Sequence, residues 1–168
     1  DFTAVSRRTS SFMLSHIRAR LRSEVAGIPF SFPPASTILE EDGLFLSRLV
    51  SALSVSFDLP VEKTTRLAVV LELVRTTLEV HARVSREKNQ QERFFENDKL
   101  AILAGDDLFT RALAEIPELE TAQLQNDIHL RIREACRHRL LLSLGGQHEA
   151  SPLLLSVLFS PALSRGQT

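Results

Sequence analysis

Apolar residues recur at three- and four-residue spacing through most of the chain, and no convincing stretch alternates apolar with polar residues as a half-buried strand would. Leu67, Val70, Leu71, Val74 and Leu78 form the most regular of these stripes, and His81 extends it. Each stripe must meet another helix to leave water, so the expected fold is all-α, a compact antiparallel helical bundle. The 168 residues, 43% apolar and 24% charged, suffice for one core and are unlike a disordered chain. Residues 1–163 read as a single helical domain and 164–168 as a flexible tail.

Helix signals divide the domain. Phe12, Met13, Ile17, Leu21 and Val25 predict an amphipathic helix from Ser11 to Val25 that ends near Gly27. Pro29, Pro33 and Pro34 then make Ile28 to Ala35 a loop. Thr37 and Glu40 have capping-box spacing and open a second helix reaching toward Pro60, with a weak point at Gly43. Thr64 or Thr65 opens the third, which carries the stripe from Leu67 to Leu78. Arg83 to Asp98 is polar and reads as an exposed loop or a short solvent-facing turn. A fourth helix runs from Lys99 to Ile116, limited by Pro117, and a fifth from about Leu119 to Leu142, stopped by Gly145 and Gly146. Ser151 and Pro152 have the form of a cap and first turn for a short last helix reaching Phe159.

Charge and cysteine content exclude several classes. Twenty Lys plus Arg stand against 21 Asp plus Glu, which argues against a broad nucleic-acid footprint. Cys136 is the single cysteine, so an internal disulfide is impossible and a reducing, cytoplasmic setting is expected. No apolar run reaches the length of a membrane span, so stable membrane insertion is not expected. The chain begins at Asp1 and not at Met, which leaves room for a preceding segment.

Residues able to do chemistry are sparse. His16, His81, His129, His138 and His148 are dispersed and do not form a helical metal-binding pattern. Asp106 and Asp107 are adjacent, and adjacent helical side chains point about 100° apart, so they cannot both approach one ion. Asp106 is expected to accept a hydrogen bond in a packing seam opened by Gly105, and Asp107 to face water. Arg133, Arg137, His138 and Arg139 surround Cys136 with positive charge that favours a thiolate if the thiol is exposed, but no base or oxyanion donor accompanies it. The run Arg131, Arg133, Arg137, His138, Arg139 is a candidate for phosphate or RNA, although it is spread over several helix faces and broken by Glu134.

Two segments carry a resemblance. Glu72-Leu-Val-Arg-Thr-Thr-Leu-Glu-Val-His81-Ala82-Arg83-Val84 resembles the first aspartate-rich helix of all-trans polyprenyl diphosphate synthases, and Leu100-Ala-Ile-Leu-Ala-Gly-Asp-Asp-Leu-Phe109 resembles that family's Ala-Ile-Leu-Ala-Gly-Asp segment. Together they span Leu67 to Leu113 in the family's order. In the family, the first helix ends in an Asp-Asp-x-x-Asp motif that holds magnesium against an allylic diphosphate. The matching positions here are Ala82, Arg83 and Arg86, a methyl group and two cations. A second aspartate-rich motif lies far downstream in catalytic members, yet only 55 residues follow Leu113 and they contain no Asp-Asp.

The resemblance therefore implies a truncated, isoprenoid-synthase-like fold, most similar to the non-catalytic small subunit of heterodimeric hexaprenyl or heptaprenyl diphosphate synthases. It implies a larger catalytic partner that carries Mg2+ and contacts the isoprenoid diphosphate product, with no cofactor or catalytic residue on this chain and transient membrane association through that product or partner. On this reading Ala101, Ala104, Gly105, Asp106, Leu108 and Ala112 serve the partner interface or internal packing. Leu67, Val70, Leu71, Val74 and Leu78 serve the core or the edge of a product channel. The alternatives are a helical interaction module unrelated to prenyl transfer and a phosphate- or RNA-binding bundle.

Overall fold

The computed structural model describes residues 2–26, 44–56, 59–82, 93–119 and 121–143. These form five α-helices and no strand: α1 (Phe2–Ala26), α2 (Phe45–Ser56), α3 (Val61–Ala82), α4 (Arg93–Glu115) and α5 (Ala122–Ser143), with a 3-10 turn, Ile116–Glu118, between the last two. The loop over 28–35, the Thr37–Glu40 cap, Gly43, Arg83, Arg86, the glycines at 145 and 146, the helix expected over 151–159 and the tail 164–168 lie outside the described residues.

Helix α3 is the centre of the bundle. Every residue from Leu67 to Leu78 is buried, polar ones included, because α1, α2 and α4 all pack against it. The five-residue stripe legible in the sequence is thus only one side of a helix covered nearly all round. It starts at Val61, earlier than either threonine, because the carbonyl of Pro60 accepts the Thr64 N–H at 2.9 Å. The Thr64 hydroxyl turns back to the same carbonyl at 3.0 Å and caps nothing.

Helix α4 runs antiparallel to α3. Arg66 meets Glu115 near one end of the pair, and Thr77 meets Gly105 farther along. Helix α1 runs antiparallel to α4, since Arg20 meets Glu115 and Glu24 meets Arg111. Its Met13, Ile17 and Leu21 are buried, and Met13 Sδ lies 3.3 Å from the Ser54 hydroxyl of α2, whose proton has a nearer acceptor in the Ser51 carbonyl at 2.8 Å.

The 3-10 turn moves the start of α5 past the expected Leu119. Pro117 lies in its first turn, and the Thr121 hydroxyl, as N-cap, accepts the Leu124 N–H at 3.2 Å. Leu124, Ile128, Ile132 and Ala135 then turn inward. No helix among the described residues is long and apolar enough to cross a membrane.

Candidate functional site

The most heavily invested polar group is Glu72, wholly buried in the middle of α3. Its Oε1 accepts both the backbone N–H and the hydroxyl of Ser47, at 2.9 and 3.0 Å, and its Oε2 accepts Arg75 Nε at 2.9 Å. Ser47 is the third residue of α2, so Glu72 caps that helix from another element and sits at the positive end of its dipole. The preceding Leu44 takes a left-handed φ of 56° while its side chain stays buried. Such a conformation costs a non-glycine residue roughly 1–2 kcal/mol, which burial of the leucine offsets. Burial of an unpaired carboxylate would be prohibitive, so Arg75 and Ser47 are what permit Glu72 to be there.

Farther along α3, its seam with α4 passes Gly105. The Thr77 hydroxyl donates to the Gly105 carbonyl at 3.3 Å, and the His81 ring lies over the glycine, with Nε2 2.2 Å from where a Cβ would stand. His81 Nε2 also lies 3.3 Å from the Ile102 carbonyl and 3.4 Å from Asp106 Oδ1. The imidazole therefore occupies the volume that a side chain at 105 would take. Gly105→Ala alone is expected to be nearly neutral, because about 1 kcal/mol of helix propensity is set against displacing the ring. In a His81→Ala background it is expected to stabilise by about 0.5–1 kcal/mol. Thermal unfolding of the four proteins measures the coupling; equal shifts in both backgrounds would mean the ring does not contribute.

The small residues of α4 point into this seam. Ala101, Ala104, Gly105, Leu108 and Ala112 are buried within the chain, as are Leu67, Val70, Leu71, Val74 and Leu78. Asp106 is the exception, with 65% of its side chain exposed, so it meets the seam only at the His81 rim. Asp107, expected in water, is the better engaged: Arg111 Nε donates to it at 2.9 Å, and this bond raises the Arg111 pKa. Ala82 ends α3 exposed. A methyl there, with cations at 83 and 86, supplies no oxygen ligand and does not fit Mg2+.

A second polar array was not anticipated. Glu62, Arg66, Glu115, Arg20, Glu24, Arg111 and Asp107 form an alternating chain of ion pairs that ties α1 to α3 and α4. Glu115 anchors it, receiving Arg66 at 3.0 Å and Arg20, and its charge raises the Arg20 pKa. His16, Thr65 and Val69 join four of these residues around an open cleft of about 330 Å³. Its cations and carboxylates face each other, so the array acts as a register device for α1 and not as an anion site. The sequence signal was there in Arg20-x-x-x-Glu24, Glu62-x-x-x-Arg66 and Asp107-x-x-x-Arg111, but only the fold joins them.

Cys136 is half-buried against the core, and burial pushes its thiol above the ordinary 9.0. Its basic neighbours thus do not activate it. Between pH 9.0 and the raised value the folded chain keeps a proton the unfolded chain has lost, so this group's contribution to stability falls as pH rises through that window. Alkylation by iodoacetamide at pH 8 is expected to be slower than for the unfolded chain; an equal or faster rate would contradict the burial.

The basic run is also partly consumed. Arg131 donates to Glu134 at 2.8 Å and Arg139 lies 3.8 Å from Glu79, which weakens the phosphate or RNA reading. Among the described residues no group of three or more His, Cys, Asp or Glu is placed to hold a metal. Compared with known proteins, the chain matches no family model, no curated protein and no solved structure.

Proposed function

We propose that the chain is the non-catalytic small subunit of a heterodimeric trans-polyprenyl diphosphate synthase, with an isoprenoid-synthase-like fold, that supports a larger catalytic partner and helps set product length. The observation carrying this reading is that the two segments resembling that family lie side by side, within α3 and α4, with the Thr77 hydroxyl bonded to the Gly105 carbonyl across the seam. The position that would begin a magnesium-binding motif is the exposed Ala82 at the end of α3.

Leu67, Val70, Leu71, Val74, Leu78, Ala101, Ala104, Leu108 and Ala112 are buried, so on this reading they form the scaffold. Contact with the partner or its apolar product falls to the outer side of α4, where Ile102 and Leu103 are exposed.

Purified alone with Mg2+ and both diphosphate substrates, the chain is expected to elongate nothing. Co-expression with a catalytic synthase subunit is expected to yield a complex and restore prenyl transfer. Elongation by the chain alone, or no complex with the catalytic subunit, would reject the reading.

A further inference from the structure

The outward face of α5 is chemically one-sided. From Ala122 to Leu141 its most exposed residues are Ala122, Gln123, Asn126, His129, Leu130, Arg133, Arg137, Leu140 and Leu141. Glu134, one turn from Leu130 and Arg137, borders them with 38% of its side chain exposed, but its carboxylate is taken up by Arg131 at 2.8 Å. The chain as a whole is nearly balanced, with a net charge of -1, so this face is a local segregation of charge. Arg131 and Arg139 on the same helix are engaged by Glu134 and Glu79. Arg133 and Arg137 meet no carboxylate among the described residues and stand one turn apart, where they project side by side. Leu130 lies before them and Leu140 and Leu141 after them, the last two 62% and 51% exposed. The apolar residues facing the other way, Leu124, Ile128 and Ile132, are already in the core.

We propose that this face of α5 is a docking site for an acidic amphipathic helix of a protein partner, one that sets two carboxylates a turn apart between apolar residues. The order along the stripe decides between occupants. A helix that lies in a bilayer needs its apolar residues together, with cations at the edges where they can reach the headgroups. Here the arginines are central and the leucines flank them, which suits two guanidinium–carboxylate pairs enclosed by apolar contacts. The site stands whether or not the partner belongs to prenyl transfer.

The test uses the full chain and a fluorescein-labelled helical peptide with glutamates one turn apart between leucines. A peptide with lysine in place of glutamate, and vesicles of phosphatidylcholine with phosphatidylserine, serve as comparisons. The acidic peptide is expected to bind, the lysine peptide and the vesicles are not. Arg133→Glu combined with Arg137→Glu, both surface changes, is expected to weaken binding of the acidic peptide roughly tenfold or more and to confer binding of the lysine peptide. Circular dichroism establishes that the double variant is folded. The proposal is overturned by absence of acidic-peptide binding, by binding that the double variant retains, by a preference for the vesicles, or by self-association of the wild-type chain that the double variant abolishes.

Discussion

Glu72→Ala is expected to cost about 3–5 kcal/mol, a large part of the roughly 5–15 kcal/mol that stabilises a domain of ordinary size. The loss has two sources. The Arg75 side chain, 8% exposed, loses its carboxylate partner, and the N–H and hydroxyl of Ser47 lose their acceptor at the first turn of α2. Glu72→Gln should cost less, since a side-chain oxygen remains for Ser47 while the charge opposite Arg75 is gone. Glu72→Leu with Arg75→Met should recover part of the loss by removing both charges, but not all of it, because Ser47 stays unsatisfied. Glu62→Ala is the control: its side chain is 85% exposed and the change should stay within about 0.5 kcal/mol. Urea unfolding followed by circular dichroism measures the series, and a Glu72→Ala protein as stable as the Glu62→Ala control would remove Glu72 from the core.

Leu108→Ala is expected to destabilise the isolated chain by about 3–5 kcal/mol, the range for a leucine whose removal leaves a cavity in a packed core. Leu108 is fully buried, in the same core as Leu71, Val74 and Ile128. Ile102→Ala, six residues earlier on α4 and 44% exposed, should cost far less on its own. The comparison separates scaffold from contact surface, which the spacing of small residues along α4 left open. If Leu108 served a partner instead, its truncation would leave the isolated chain intact and show only when the partner was added.

The His81 and Gly105 pair shows where sequence reading reaches and where it stops. Gly105 within Ala-Ile-Leu-Ala-Gly-Asp allows a close helix approach, and His81 extends the α3 stripe. That the ring fills the space beside that glycine follows from the antiparallel register of two helices joined by residues far from either position. Asp106 and Asp107 were the opposite case. Asp106 meets the seam only at the His81 rim, 3.4 Å from Nε2, while Asp107, expected to face water, lies one turn from Arg111 on the same face and pairs with it.

Glu72 was invisible as a structural keystone for a related reason. A glutamate three residues before an arginine ordinarily reads as a surface pair, and nothing local distinguishes one that will be enclosed. The flat run of burial from Leu67 to Leu78 was likewise unreadable, because Glu72, Arg75, Thr76 and Thr77 are polar and their burial is imposed by neighbouring helices.

Sequence alone determined the all-helical character, the C-terminal ends of α1, α3, α4 and α5 to within a residue or two, and which faces carry the apolar stripes, because spacing and proline are local properties of the chain. It missed the starts of α1 and α4, which lie at Phe2 and Arg93 and not at Ser11 and Lys99, because their first turns carry no regular apolar stripe. Tertiary structure alone decided that α3 lies at the centre, that Glu72 caps α2, that seven charges from three helices form one array, and that Arg133 and Arg137 look outward while Arg131 and Arg139 are paired. Those outcomes depend on contacts between residues far apart along the chain, which local spacing does not encode.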